Sequence, residues 1–344
     1  MSENAQTDKT DKGPQAEGGP QNDDGPPFVF GFAFKGGAAR EMRWEEAAAN
    51  AGDAEWVWIH LNLNNDAARA WIRAQTDLPF AAMISLLADE TRPRVTTLET
   101  GVVANLRGVN LNEGAEPEDM VSIRIWVEQR RIITARRRRL VAAQEIRSEI
   151  VGGRKFEGSA GLVVRLCARL TERTEPFVAE IEEDLDALEE RILEGESSSI
   201  RSRLGEVRQT AVHFRRFIAP QREALVRLAS DESALFGPRD KIEFREIADR
   251  VTRFVEDIDA VRERAMVLQD QLSDKRAEEM NRNMLILSVV AAIFLPLGYL
   301  TGLLGINVGG VPGADSPHAF WVVVGISAAI GCALVYLFHR KGWL

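Results

Sequence analysis

Apolar residues follow three different rhythms along this chain. Near the start the rhythm is two. The run Phe-Val-Phe-Gly-Phe-Ala-Phe at 28–34 alternates large and small side chains, as a β-strand with one packed face does. The stretch 56–61 alternates two faces, one of which carries Trp56, Trp58 and His60. Stretches 98–106, 121–127 and 131–135 predict further strands, and 66–75 and 80–87 predict short helices. From 161 to 194 the rhythm becomes helical, with Leu162, Leu166, Leu170, Val178, Ile181, Leu185, Leu188 and Ile192 three or four residues apart. A turn at 195–199 and a second helix over 200–230 follow. The third rhythm is a heptad: Phe244, Ile247, Val251, Phe254, Ile258, Val261, Ala265, Leu268 and Leu272 step by three and four without a miss. That seam predicts a helix packed lengthwise against other helices.

No Gly or Pro lies between 239 and 295, so the heptad helix runs on into an apolar stretch as one rod of about 65 residues. From 284 to 304 no residue is charged. At about 1.5 Å per residue that length spans the roughly 30 Å hydrocarbon core of a bilayer. A second uncharged run covers 319–338, which makes a two-span hairpin at the C-terminal end. The first span carries Ser288, Gly298, Thr301, Gly302 and Gly305, small residues that permit close backbone approach, and Pro296, whose missing hydrogen bond a membrane helix can absorb. The second carries Trp321, Tyr336 and Phe338 near its ends, as a lipid-facing span does. Two helices side by side enclose no lumen. A pore would need several copies, each giving one helix to a ring.

Charge refines this picture. The formal net charge of −9 argues against a nucleic-acid partner. Arg276 and Arg282 precede the first span, Arg340 and Lys341 follow the second, and the loop 308–317 has neither Lys nor Arg. The positive-inside rule then puts both ends in the cytoplasm and the loop outside. No apolar leader is visible at the N-terminus, and residues 1–27 have the composition of a disordered tail. Cys167 and Cys332 lie far apart and suggest neither a disulfide framework nor a thiolate zinc site.

Three side-chain groups bear on chemistry. His60, on an aromatic strand face, reads as a core or surface histidine before a metal ligand. The cluster Arg136 to Arg139 suggests phosphate binding, but reads more simply as a solvated helix start or as the partner of acidic segments. Those segments hold Glu175, Glu180, Glu182, Glu183, Asp184, Asp186, Glu189, Glu190 and Glu194, which would either concentrate cations or keep a helix face soluble. No phosphate loop, His-Glu-x-x-His or nucleophile elbow is present, so the chain reads as no enzyme. Neither span holds Asp, Glu, Lys, Arg or His, which excludes an intramembrane proton relay.

The end of the first span reads Pro-Leu-Gly-Tyr-Leu-Thr-Gly-Leu-Leu-Gly305-Ile306-Asn307, followed by Val-Gly-Gly-Val-Pro-Gly. A Gly-x-Asn alone is common. Placed at the end of the first of two C-terminal spans, it resembles the CorA metal-ion transporter superfamily, and the Gly-Ile-Asn form resembles its ZntB zinc-transporter branch. The stretch at 121–140 resembles the same branch. The magnesium branch has Gly-Met-Asn and an acidic loop, whereas the only acid here is Asp315.

The resemblance implies an α+β cytoplasmic domain, a long stalk helix and a two-helix transmembrane hairpin, assembled as a funnel-shaped homopentamer in the cell inner membrane. Its parts would be a tail 1–27, an α/β domain 28–157, an acidic helical hairpin 158–235, a stalk and first span 236–304, an external loop 305–318, a second span 319–338 and a basic end 339–344. It implies divalent-cation transport, zinc first, with magnesium, cobalt or nickel as the alternative cargo and no resident cofactor. Asn281, Met284, Leu287, Ala291, Leu295 and Gly298 match the lumen-facing positions of the pore motif, and their own spacing supports one shared face. Met284, Leu287 and Leu295 would be hydrophobic constrictions; Asn281 and Gly298 wider rings. Gly305, Ile306 and Asn307 would form the mouth, with the Asn307 amide binding a hydrated ion. A membrane-anchored coiled-coil scaffold is the competing reading from a different class.

Overall fold

The structure is a computed structural model that describes residues 25–48, 53–193, 200–306, 313 and 316–342. It divides into two compact units, Met1–Met266 and Val267–Leu344.

The first unit is built on a seven-stranded sheet in the order β2-β1-β3-β7-β6-β5-β4. The strands are β1 Phe28–Lys35, β2 Ala38–Glu41, β3 Trp56–Asn62, β4 Arg94–Leu98, β5 Gly101–Gly108, β6 Val121–Val127 and β7 Arg131–Arg136. Only β3 and β7 pair in parallel; the other neighbours are antiparallel. The period-two reading of 28–34 and 56–61 has a direct structural cause. Register places Phe34 against Trp56, Phe32 against Trp58 and Phe30 against His60. Phe34 and Trp56 stack at 3.7 Å, and Phe30 stacks on the His60 ring at 4.7 Å. The opposite face of the sheet holds Ile59, Leu61, Ile133 and Ala135. It packs on α2 (Asp66–Ala74) and α3 (Phe80–Leu87) through Trp71, Ile72, Ala82 and Leu86.

Three features depart from the sequence reading. The stretch 98–106 is two strands, not one: β4 and β5 form a hairpin across Glu99 and Thr100. Its two central residues are not ordinary turn formers, and the one signal, Gly101 at the turn's last position, lay inside a stretch read as a single strand. Strand β2 was not expected from the sequence; the Gly36-Gly37 pair turns β1 into it, with φ of 55° and 74°, values open to glycine at no steric cost. Arg136 to Arg139 do not begin a solvated helix. Arg136 is buried at the end of β7, Arg137 pairs with Asp89 on the sheet side, and α4 (Val141–Val151) starts only after Leu140.

Helices α5 (Ser159–Leu193) and α6 (Ile200–Ala229) and the part of α7 (Pro238–Leu304) up to Met266 complete the unit. All nine heptad positions from Phe244 to Leu272 are buried. Burying each Phe, Ile or Val contributes roughly 1.5–3 kcal/mol, so this seam is satisfied within one chain and is no free coiled-coil surface. Charge pairs line its edges. Arg250 donates to Glu175 at 2.7 Å, and Arg264 to Asp186 at 2.7 Å and Glu189 at 2.5 Å. Arg203 of α6 donates to Asp184 at 2.8 Å. Part of the acidic face of α5 is therefore a clamp for its neighbours. Glu182 is different: burial first, then Asp257 and Asp186, raise its pKa.

Glu149 bolts α4 to α5. Its carboxylate accepts from Arg165 at 2.7 and 3.1 Å and from Arg169 Nε at 2.7 Å. The Arg165 hydrogen bond, with Arg169 behind it, lowers its pKa from 4.5 to about 2. The folded state thus holds this proton less tightly than the unfolded chain. The pair's stabilisation is present above pH 4.5 and fades as the pH falls toward 2. Glu149→Gln is expected to lower the melting temperature by about 2–6 °C at pH 7, with the gap closing on acidification, as calorimetry across pH would read.

Candidate functional site

The second unit holds the rest of α7, including Pro296, and α8 (Ala319–Arg340). Both helices are long and apolar enough to cross a membrane, and almost none of their apolar windows is buried. Between Ser273 and Ser288 no residue of α7 is buried. Beyond it, one side of α7 meets α8. Val289 is buried and Ile293, Leu297 and Leu300 are half-buried. The Leu297 side chain lies 3.8 Å from where a Cβ on Gly331 would sit.

The six positions singled out from the sequence lie away from that seam. At about 100° per residue, Asn281, Met284, Leu287, Ala291, Leu295 and Gly298 fall within an arc of roughly 120°. The seam residues centre roughly 180° from it. All six are exposed, Leu287 at 69% and Leu295 at 71%. The same stepping of three and four places exposed Ser288 and Gly302 on this arc, and Asp270 and Asp274 before it. Sequence reasoning did not assign these four to the face, although the spacing that found the others also reaches them.

The glycines do not serve the hairpin. A Cβ added at Gly298 or Gly302 would meet nothing within 4 Å. Whatever close approach they permit lies outside this chain. An apolar groove of about 940 Å³ does lie between the helices, lined by Leu297 and Thr301 of α7 and Val323, Ser327 and Gly331 among others of α8. None of the six arc residues lines it, and its walls offer almost no polar surface to an ion. In α8, Trp321 and Tyr336 are exposed, at 70% and 68%. Phe338 differs from the expectation: it is buried.

Helix α7 ends at Leu304, and the Gly305 N–H still donates to the Thr301 carbonyl at 2.9 Å. A Cβ at Gly305 would come within 3.0 Å of that same carbonyl oxygen. Ile306 is exposed. Asn307, the expected ion-binding residue, lies outside the described residues, as do 308–312, Asp315 and Glu194.

Among the described residues, no group of three or more His, Cys, Asp or Glu is placed to hold a metal. His60 is fully buried, with Nδ1 2.8 Å from Thr134 Oγ1, and burial holds its pKa well below the usual value. It is a neutral core residue. Cys167 is buried, which pushes its thiol up to about 12, and neither it nor Cys332 is in a disulfide.

Residues 53–340 match the family model described as CorA-like Mg2+ transporter protein. The chain belongs to the CorA family. A CorA-family relative, the divalent cation transporter CmaX of Pseudomonas aeruginosa, is 36% identical over 321 residues, covering 92% of this chain and 97% of that one. The zinc transport protein ZntB of Pectobacterium carotovorum is 32% identical over 287 residues, covering 83% and 88%. The structure of full-length CmaX superposes with a TM-score of 0.81 at 35% identity over 92% of this chain and 98% of that one. The CorA magnesium transporter of Methanocaldococcus jannaschii shares the fold, with a TM-score of 0.79 at 20% identity over 92% and 98%. The α+β unit, the long helix and the two apolar C-terminal helices are thus those of the CorA architecture, and the ZntB-like motif sits in a chain with ZntB and CmaX relatives.

Proposed function

We propose that this chain is the subunit of a homo-oligomeric channel for divalent cations, with zinc as the first cargo and five copies around the pore. The observation that carries the reading is the exposed arc of α7. It holds Asn281, Met284, Leu287, Ala291, Leu295 and Gly298 on the side turned away from α8. One chain has nothing to pack there, and copies of α7 arranged in a ring would turn that arc inward. The family, whose relatives include a named divalent cation transporter and a named zinc transporter, supports the cargo class.

The chemistry of the path suits passage of a hydrated ion. Tight zinc ligation calls for His, Cys or carboxylate, and the arc offers none between 281 and 306. Asn281 and Asn307 supply neutral amide oxygens that hydrogen-bond the water shell of a dication without stripping it. Met284, Leu287 and Leu295 act as narrow apolar rings that close by dewetting. Both ends of the chain face the cytoplasm of the cell membrane and the loop after Asn307 faces outward, following the distribution of Arg and Lys.

Flux into liposomes tests the reading. The purified protein should carry zinc, followed by a zinc-sensitive dye, and native mass measurement should give a pentamer. No flux of zinc, nickel, cobalt or magnesium would remove the proposal. Flux of magnesium alone would keep the channel and shift its cargo to that of the family model's name.

A further inference from the structure

The arginine cluster after β7 has a place in the fold that the channel does not use. In the unit Met1–Met266 a polar cleft of about 270 Å³ is lined by Arg107, Arg124, Arg137 and Arg138, against Asp89 and Asp119. These side chains come from β5, from β6 and from the turn after β7, so the sheet order brings together arginines far apart in sequence.

The positive charge there is only partly offset: Glu90 and Asp119 act on Arg107, and Asp89 on Arg124, through space rather than by an ion pair. Arg124 is only 1% exposed. Its Nη2 donates to the Ala88 carbonyl at 3.0 Å and the Asp89 carbonyl at 3.2 Å, and its Nη1 to Ser122 Oγ at 3.0 Å. Its Nε has no partner. All its acceptors are neutral. Arg107 likewise donates to carbonyls, of Met120 at 2.6 Å and Thr91 at 2.8 Å, and lies 3.9 Å from the centre of the Phe217 ring. Arg138 is half-buried, with neither a hydrogen bond nor an ion pair among the described residues. Asp89 is committed to Arg137. Asp119 pairs with no arginine among the described residues.

A guanidinium taken out of water needs a compensating anion or a full set of acceptors; Arg124 has Asp89 near it but bonds only neutral acceptors, and its Nε has no partner. Burial, with Arg137 and Arg107 beside it, pushes its pKa down to about 10; burial and Arg216 do the same to Arg107. Both remain charged at neutral pH, and an anion in the cleft would relieve both.

We propose that this cleft binds the phosphate group of a small soluble anion, with Arg107 and Arg138 as its donors and the buried charge of Arg124 behind them. Arginine forks match the oxygens of phosphate, and charge-assisted bonds of this kind are about twice as strong as neutral ones. The cleft holds roughly nine waters' worth of volume, more than one phosphate fills, so a diphosphate fits as well. The site is a separate element of the cytoplasmic-type unit, and its existence does not depend on which metal the channel carries.

The test uses the full-length protein in detergent, with inorganic phosphate, pyrophosphate and ADP as probes in calorimetry and thermal melts. Pyrophosphate should bind with Kd below about 1 mM and raise the melting temperature in proportion to its logarithmic concentration. Arg138→Ala should weaken it about tenfold or more without changing the melt of the ligand-free protein, and Arg138→Lys should restore part of the loss. Arg124→Gln, if it folds, should weaken it further. ADP binding no tighter than pyrophosphate would mark a free phosphate site; tighter binding would mark a nucleotide. No binding of any probe at about 10 mM would overturn the proposal, as would binding indifferent to both Arg138→Ala and Arg138→Glu.

Discussion

Asn307→Ala is expected to lower divalent-cation flux at least about 100-fold while leaving the oligomer intact. A net hydrogen bond is worth about 0.5–1.5 kcal/mol, and a ring removes one from every subunit at once. Several such losses sum to roughly 3 kcal/mol, which is about 100-fold at about 1.4 kcal/mol per decade. The substitution removes the only side chain in the Gly-Ile-Asn mouth that can hydrogen-bond an ion's water shell. It deletes little apolar surface, so assembly should survive. Zinc uptake into liposomes and native mass of the same sample read the two effects separately. Unchanged flux would remove Asn307 from the ion path. It would also favour a membrane-anchored scaffold, in which Gly305, Ile306 and Asn307 tolerate change freely.

The second large effect runs the other way. Leu295→Asn is expected to raise basal ion flux about tenfold, because a polar ring wets a constriction that an apolar ring keeps dry. Leu295 is 71% exposed in the chain, so its loss should cost the isolated fold less than about 0.5 kcal/mol. The alternative is that Leu295 only packs helix on helix. Then Asn at this position would break the oligomer and produce no leak. Conductance across a planar bilayer, with the oligomer assayed alongside, separates the outcomes.

Much of this architecture was legible because it rests on periodicity. The heptad from Phe244 to Leu272 predicted burial at every position, and every position is buried. The helix predicted from 239 without a breaker is α7, Pro238–Leu304. Short helices at 66–75 and 80–87 and the strands at 28–34, 56–61, 121–127 and 131–135 sit within a residue or two of α2, α3, β1, β3, β6 and β7. What failed was local chemistry without a pattern. The Glu99-Thr100 turn has only Gly101, at its last position, to mark it, and α4 was hidden behind the arginines that precede it. The acidic face of α5 offered two readings, and the structure added a third, ion pairs to Arg203, Arg250 and Arg264.

The sequence by itself determined the two apolar runs, the long helix and the family, since each is a one-dimensional pattern of side-chain type. Only the tertiary structure decided which side of α7 meets α8, that the heptad seam is covered within the chain, and that Arg107, Arg124 and Arg138 share one cleft. The reason is physical. A helix repeats every 3.6 residues, so its faces can be read along the chain. A sheet instead assembles strands in an order that the chain does not spell out, so charges brought together across β5, β6 and the turn after β7 become neighbours only when the sheet forms.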